Sequence, residues 1–302
     1  MSAVEQGVTQ RLSGEHDVAP RPQPVEAMPR GGRFSTRLFR SEVRLMAGRR
    51  RNQAGLAVLA AVPVIMAVAV KMSANDGPRG GDLISSITSN GLFVPLAALS
   101  VEIGMFLPLA IAMVSGDSIA GEANIGTLRY LLTVPVGRAR LLGVKYASLC
   151  VGAVWAVLTV AVPGTIIGIA LFGTGPMTTL SGTQIDTAAA AWRVVIVCVY
   201  LSCGLAALAA VGLFISTLTE QPIAAAISLM IFTILSWILD NVAQLSWLHP
   251  WLIVHEWLSF ADVLRDPIAW DAMQRGLWVS AVYAVVFWLA AWARFAGKDI
   301  TS

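Results

Sequence analysis

The sequence predicts an all-α, polytopic membrane protein with six transmembrane helices and both termini cytoplasmic. Three observations carry that prediction. The 302 residues are 56% hydrophobic and only 13% charged, against about 45–50% and about 25% in soluble domains, and the mean hydropathy is +0.71. Six segments are apolar over about the 20 residues that a helix needs to cross a hydrocarbon core about 30 Å thick. The basic residues, finally, collect on one side of those segments. A soluble enzyme is excluded at this step.

The segments follow one another as Ala54–Val70, Gly91–Ser115, Tyr146–Phe172, Val194–Thr219, Gln221–Leu239 and Gly276–Ala293. The second carries one charge, Glu102. About 50 polar residues precede the first, which is unlike a cleaved signal peptide. With the N-terminus inside, 16 of the 21 Lys and Arg fall on the cytoplasmic side: ten in residues 1–53, four in 116–145 and two in 294–302. The other side holds Lys71, Arg79, Arg193, Arg265 and Arg275. The positive-inside rule therefore sets the orientation.

Residues 1–32, with several Pro and Gly and no apolar period, read as a disordered cytoplasmic tail. Residues 33–53 read as a basic amphipathic interfacial segment. In it Phe39, Val43 and Leu45 dip into the interface while Arg37, Arg40 and Arg44 meet headgroups. Arg49, Arg50 and Arg51 anchor the first span. Residues 54–302 form the six-span domain, in which Gly164 and Gly168 are spaced for close helix contact. Pro63, Pro95, Pro108 and Pro163 are candidate kinks.

On the outer side, residues 71–90 and 173–193 are short polar loops. The stretch 240–275 is longer and holds Trp247, Trp251, Trp257 and Trp270, broken by Pro250 and Pro267. Tryptophan favours the membrane interface, so short helices lying along the outer surface are expected here. His249 and His255 stand in this loop without a recognised ligand spacing, and no metal is expected. Cys150, Cys198 and Cys203 lie inside apolar runs and read as packed thiols. No Gly-Lys-Ser/Thr phosphate loop occurs, and the six segments hold neither Asp nor His for intramembrane proteolysis. The chain is expected to be no enzyme, to need no cofactor and to bind no nucleic acid.

The most informative stretch is the cytoplasmic loop 116–145, GDSIAGEANIGTLRYLLTVPVGRARLLGVK. It is dense in polar residues of specific type. Residues Ile125–Leu132 are spaced for a short helix that presents Leu128, Leu131 and Leu132, ended by Pro135 and Gly137. The stretches GDSIAGE, GTLRYLL and PVGR resemble the permease subunits of bacterial ABC type-2 exporters, although that family often has Ser or Thr at the place of Gly137. FISTLTEQPIAAA, residues 214–226, is similar to the family's turn between spans four and five, and RFAGKDI, residues 294–300, to its basic exit. The likeness extends over about residues 35–302.

The resemblance implies a pair of permeases, identical or homologous, each docked by a separate ATP-binding-cassette ATPase subunit, in the cell inner (cytoplasmic) membrane. Asp117, Gly121, Glu122, Gly126, Thr127 and Arg129 would then form the ATPase-coupling element. For Asp117 and Glu122 the alternative is that they cap and solvate a helical loop. The cargo expected is a drug-like, antibiotic, lipid or other amphipathic substrate. Glu102 is the candidate translocation-path residue, or else a buried structural hydrogen bond. It is expected to face the bundle, carry a proton or meet a donor, with Arg193 a conceivable partner. A gradient-driven carrier would show several ionisable groups inside spans; that class, and a membrane scaffold or sensor, are the rival readings.

Overall fold

A computed structural model describes residues 36–74, 90–124 and 138–297. The expected tail, the outer residues 75–89, and Gly126, Thr127 and Arg129 with the rest of 125–137 lie outside the described residues. Helix α1 is Thr36–Gly48, α2 Arg50–Ala74, α3 Phe93–Glu102, α4 Phe106–Asn124 and α5 Arg138–Phe172. After a minimal antiparallel pair, β1 (Met177–Thr178) with β2 (Gln184–Ile185), come α6 (Thr187–Leu218), α7 (Pro222–Asp240) and α8 (Asp271–Ala296). Three short 3-10 turns, Ala243–Leu245, His249–Trp251 and Trp257–Leu264, separate α7 from α8.

Six of these helices, α2, α4, α5, α6, α7 and α8, are long and apolar enough to cross a membrane. The chain is an all-α, multi-pass membrane protein. Six crossings return the end of α8 to the side where α1 lies. Wide apolar faces remain uncovered on the outer helices, with Ile223, Ile227, Ile231 and Ile238 exposed on α7 and Trp278, Val282 and Leu289 on α8. In water these would be a liability; in hydrocarbon they are the solvent-matched surface.

Helix α6 is the axis of the bundle. It packs on α8, α4 and α5, and Leu201, Leu205, Leu208 and Leu213 are fully buried along it. Small residues bring the neighbours in. A Cβ added at Gly212 would stand 2.1 Å from Ser115 Oγ of α4 and 2.7 Å from Leu229 Cδ2 of α7, so three helices meet where no side chain fits. The close contact expected of Gly164 and Gly168 is present too. A Cβ at Gly168 would lie 2.1 Å from the Gly91 carbonyl oxygen, and one at Gly164 3.0 Å from Pro95 Cα.

Two of the expected spans differ in detail. The second is not one helix: α3 ends at Glu102, residues 103–105 turn, and α4 begins at Phe106. Pro108 has no N–H to offer the Gly104 carbonyl and its ring crowds that group, which ends the helical ladder there. Helix α4 then continues to Asn124, and α5 begins at Arg138. The stretch read as loop 116–145 is therefore helical at both ends, as extensions of the spans. Helices α5 and α6, with 35 and 32 residues, are about 50 Å long at 1.5 Å per residue, well beyond the hydrocarbon thickness.

Candidate functional site

The charged residues of α4 and α5 meet those of α1 and α2 at the α1 end of the bundle. Arg49 Nη1 donates to Asp117 Oδ2 at 2.5 Å, and Arg51 Nη2 donates to the same oxygen. Arg51 also reaches the Met113 carbonyl at 3.3 Å. One helical turn further along α4, Lys145 Nζ donates to Glu122 Oε1 at 2.5 Å and lies 3.4 Å from Glu42 Oε2 of α1. The ammonium of Lys145 is almost fully enclosed, with 3% of its side chain exposed. A buried cation is tolerable only when paired and hydrogen-bonded. Here two carboxylates from two different helices do that work.

Helix α1 is set by the same contacts. Leu38 packs against the buried core, Phe39, Val43 and Met46 are half-buried, and Arg40 and Arg44 face outward. Leu45, expected to dip into the interface, is exposed and so open to it, and Met46 sits against Gly152 of α5. Glu42 projects from this helix toward Lys145. Arg49 and Arg51, read from sequence as anchors, carry Asp117. The four segments are thus tied by charge at one level.

A further tie joins α4 to the axis. Ser216 Oγ of α6 donates to the Gly116 carbonyl at 2.9 Å and accepts from Ile119 N at 3.1 Å and Ala120 N at 2.9 Å. The hydroxyl thus bonds three backbone groups of one turn of α4, which runs as an unbroken helix from Phe106 to Asn124. Gly121 lies on the same turn, where an added Cβ would only touch Asp117 at 3.6 Å.

Of the six residues expected to couple to an ATPase, Asp117, Gly121 and Glu122 are described and lie together on the last two turns of α4. Asp117 and Glu122 make contacts within the chain, so neither merely solvates a loop. Sequence reasoning missed Glu42, Lys145 and Ser216. The signal available for the first two was charge balance, since an acidic and a basic residue near the bases of adjoining helices are natural partners. Ser216 had none, because one serine in an apolar run looks like any other.

Glu102 sits apart, at the broken joint between α3 and α4. It is fully buried, and neither carboxylate oxygen has a hydrogen-bond partner among the described residues. The expectation that it faces the bundle holds. No structural hydrogen bond to it occurs among the described residues, and the Arg193 guanidinium, a conceivable partner from sequence, lies 3.5 Å from Asp266 instead.

At the opposite end, the loop after β1 folds over the second half of the 240–275 stretch. Leu180 N donates to the Leu264 carbonyl at 2.8 Å, and Thr183 Oγ1 to Asp266 Oδ2 at 3.1 Å. The short helices expected here are the three 3-10 turns. Trp247, Trp251 and Trp270 are exposed, as interfacial residues should be, whereas Trp257 is buried against Trp237. That fourth tryptophan belongs to the core and not to the interface. Asp240, His249 and His255 come together at the end of α7.

No curated protein matches the chain. A family model for proteins of unknown function, DUF2705, matches residues 82–301, from before the broken second span to beyond α8. That is most of the chain, and the chain belongs to this family.

Proposed function

We propose that the chain is the membrane-spanning permease of an ATP-driven exporter of the ABC type-2 class, in the cytoplasmic membrane, with the α1 end facing the cytoplasm. The observation that carries this reading is the charge-tied assembly of α1, α2, α4 and α5. Residues 125–137, which hold the GTLRYLL and PVGR stretches, connect the two extended helices α4 and α5. A push on that connection by an ATPase reaches Asp117 and Glu122, and through Arg49, Arg51 and Lys145 it reaches three other helices. In this reading Glu122 acts as a transmission point, its carboxylate held by Lys145, while Gly126, Thr127 and Arg129 meet the partner. Two permease copies and two ATPase subunits form the working unit.

Glu102 supplies the site for cargo. An unpartnered carboxyl in a bundle of apolar helices suits the cationic or polar part of an amphipathic substrate, with the joint at 103–105 allowing α3 and α4 to move separately. The test is a search of the neighbouring open reading frames for an ATP-binding-cassette subunit, followed by reconstitution of the full chain with it. Copurification, and ATP hydrolysis that falls in Arg129→Glu while membrane insertion is retained, are the expected results. Transport that proceeds without ATP and follows an ion gradient would assign the chain to the carriers instead. Labelling of a single cysteine at Ser118 from outside intact cells would reverse the orientation.

A further inference from the structure

The geometry points to a divalent metal site of the zinc class at the end of α7, made by Asp240, His249 and His255. One donor atom from each of the three lies within 4.8 Å of the others. The chain reaches this arrangement through its 3-10 turns. Asp240 is the last residue of α7, and the turns at Ala243–Leu245 and His249–Trp251, the second with Pro250 inside it, fold the next 15 residues back on the helix end. The two imidazole rings lie 5.6 Å apart between centroids. Sequence spacing alone hid the site, because the ligands are separated by nine and six residues of irregular backbone.

The hydrogen bonds define which atoms are free to bind. His249 Nε2 lies 3.1 Å from the Val242 carbonyl, which only accepts, so Nε2 carries the proton and Nδ1 carries the lone pair. A backbone carbonyl on the far ring nitrogen is the usual outer support of a metal-bound histidine. His255 Nδ1 lies 2.6 Å from Asp240 Oδ1 with a proton between them. The cation takes that proton's place, and the proton moves to Nε2 of the same ring or to solvent. Ligand atoms on one tetrahedral ion at about 2.0–2.2 Å stand about 3.4 Å from each other. Small side-chain rotations on the turns open the Asp240–His255 pair and close the wider separations to that value. Two imidazoles with one carboxylate select zinc and its first-row neighbours over magnesium and calcium, which prefer all-oxygen shells. Three protein ligands leave a fourth position for water. The bound ion pins the loop that follows α7 to the helix end.

The experiment uses the full chain in detergent, purified on a tag without histidine and stripped with a chelator. Zn2+ is added and the retained metal counted after desalting. One Zn2+ per chain is expected, undiminished by a thousandfold excess of Mg2+, with a higher unfolding temperature than the stripped protein. His249→Ala and His255→Ala should each weaken binding by more than the about 10–100-fold that loss of an outer support costs, and the double variant should neither retain the ion nor gain stability from it. Should the double variant fail to fold, Co2+ in the native chain decides. Ligand-field bands without thiolate charge transfer support the site, whereas thiolate charge transfer places the metal on Cys150, Cys198 or Cys203 and overturns it. Absence of Zn2+ from the native chain, or full retention by the double variant, also overturns it.

Discussion

Glu122 and Glu102, both enclosed by helices, have opposite surroundings. Glu122 lies at the α1 end of the bundle, where Lys145 holds it and Glu42 shares the same ammonium. Glu102 lies at the α3–α4 joint with no donor to either oxygen among the described residues. The first is a tie between helices and contributes through its partner. The second contributes nothing to holding the bundle together and is costly to enclose. In the proposed reading, the difference separates a tie that would pass on a displacement from a carboxyl that would meet cargo.

Mutations that act on one member and spare the other sharpen the contrast. The largest effect is expected from Lys145→Met, which removes the buried ammonium that Glu42 and Glu122 share. Removing one partner of a buried ion pair costs about 3–5 kcal/mol, read as a lower midpoint in denaturant titration of the detergent-solubilised protein. A loss below about 1 kcal/mol would show that the tie is not a tie. Gly168→Leu should cost less, about 1–3 kcal/mol by overpacking. The added Cβ lands on the Gly91 backbone, just before α3, so the variant also shifts the helix that carries Glu102.

Asp117→Asn tests the pairs of the charged end in which the carboxylate is enclosed and the guanidiniums are half-exposed. Arg49 and Arg51 keep 41% and 45% of their side chains exposed, and pairs of that kind are worth about 0–1 kcal/mol. The variant should unfold within that range of the parent. Glu102→Gln is the smallest in stability and the most telling in function. It should melt at the same temperature as the parent or above it, while transport in reconstituted vesicles falls sharply. A clear drop in melting temperature with transport intact would make Glu102 a structural residue and erase the comparison.

The architecture was legible because lipid imposes a simple rule, that a crossing helix must be apolar and long. All six crossings follow from it; the spacing of Gly164 and Gly168 points to a close helix contact, but its partner, the start of α3, is seen only in the structure. What composition cannot give is where a helix ends once it leaves the lipid. Gly116–Asn124 and Arg138–Lys145 are polar enough to read as loop, yet they are helical because Ser216, Lys145, Arg49 and Arg51 satisfy them from neighbouring elements. The break at residues 103–105 was hidden for the converse reason: it lies in an apolar run, and only Gly104 and Pro108 hint at it. The histidine cluster depended on 3-10 turns, whose irregular period leaves no pattern to read. Trp257 was misplaced because four tryptophans in one loop share a chemistry but not a burial.

The serine wedged into α4 has a mechanical consequence. Backbone rungs in a membrane helix ordinarily resist stretching, because each amide set loose in hydrocarbon is costly. Where Ser216 supplies both an acceptor and a donor to Gly116, Ile119 and Ala120, that turn has bonds from α6 beside those of its own helix. It therefore lengthens or tightens by a fraction of a rung with every amide still engaged. The last turns of α4 are in this sense a compliant element set in a stiff rod.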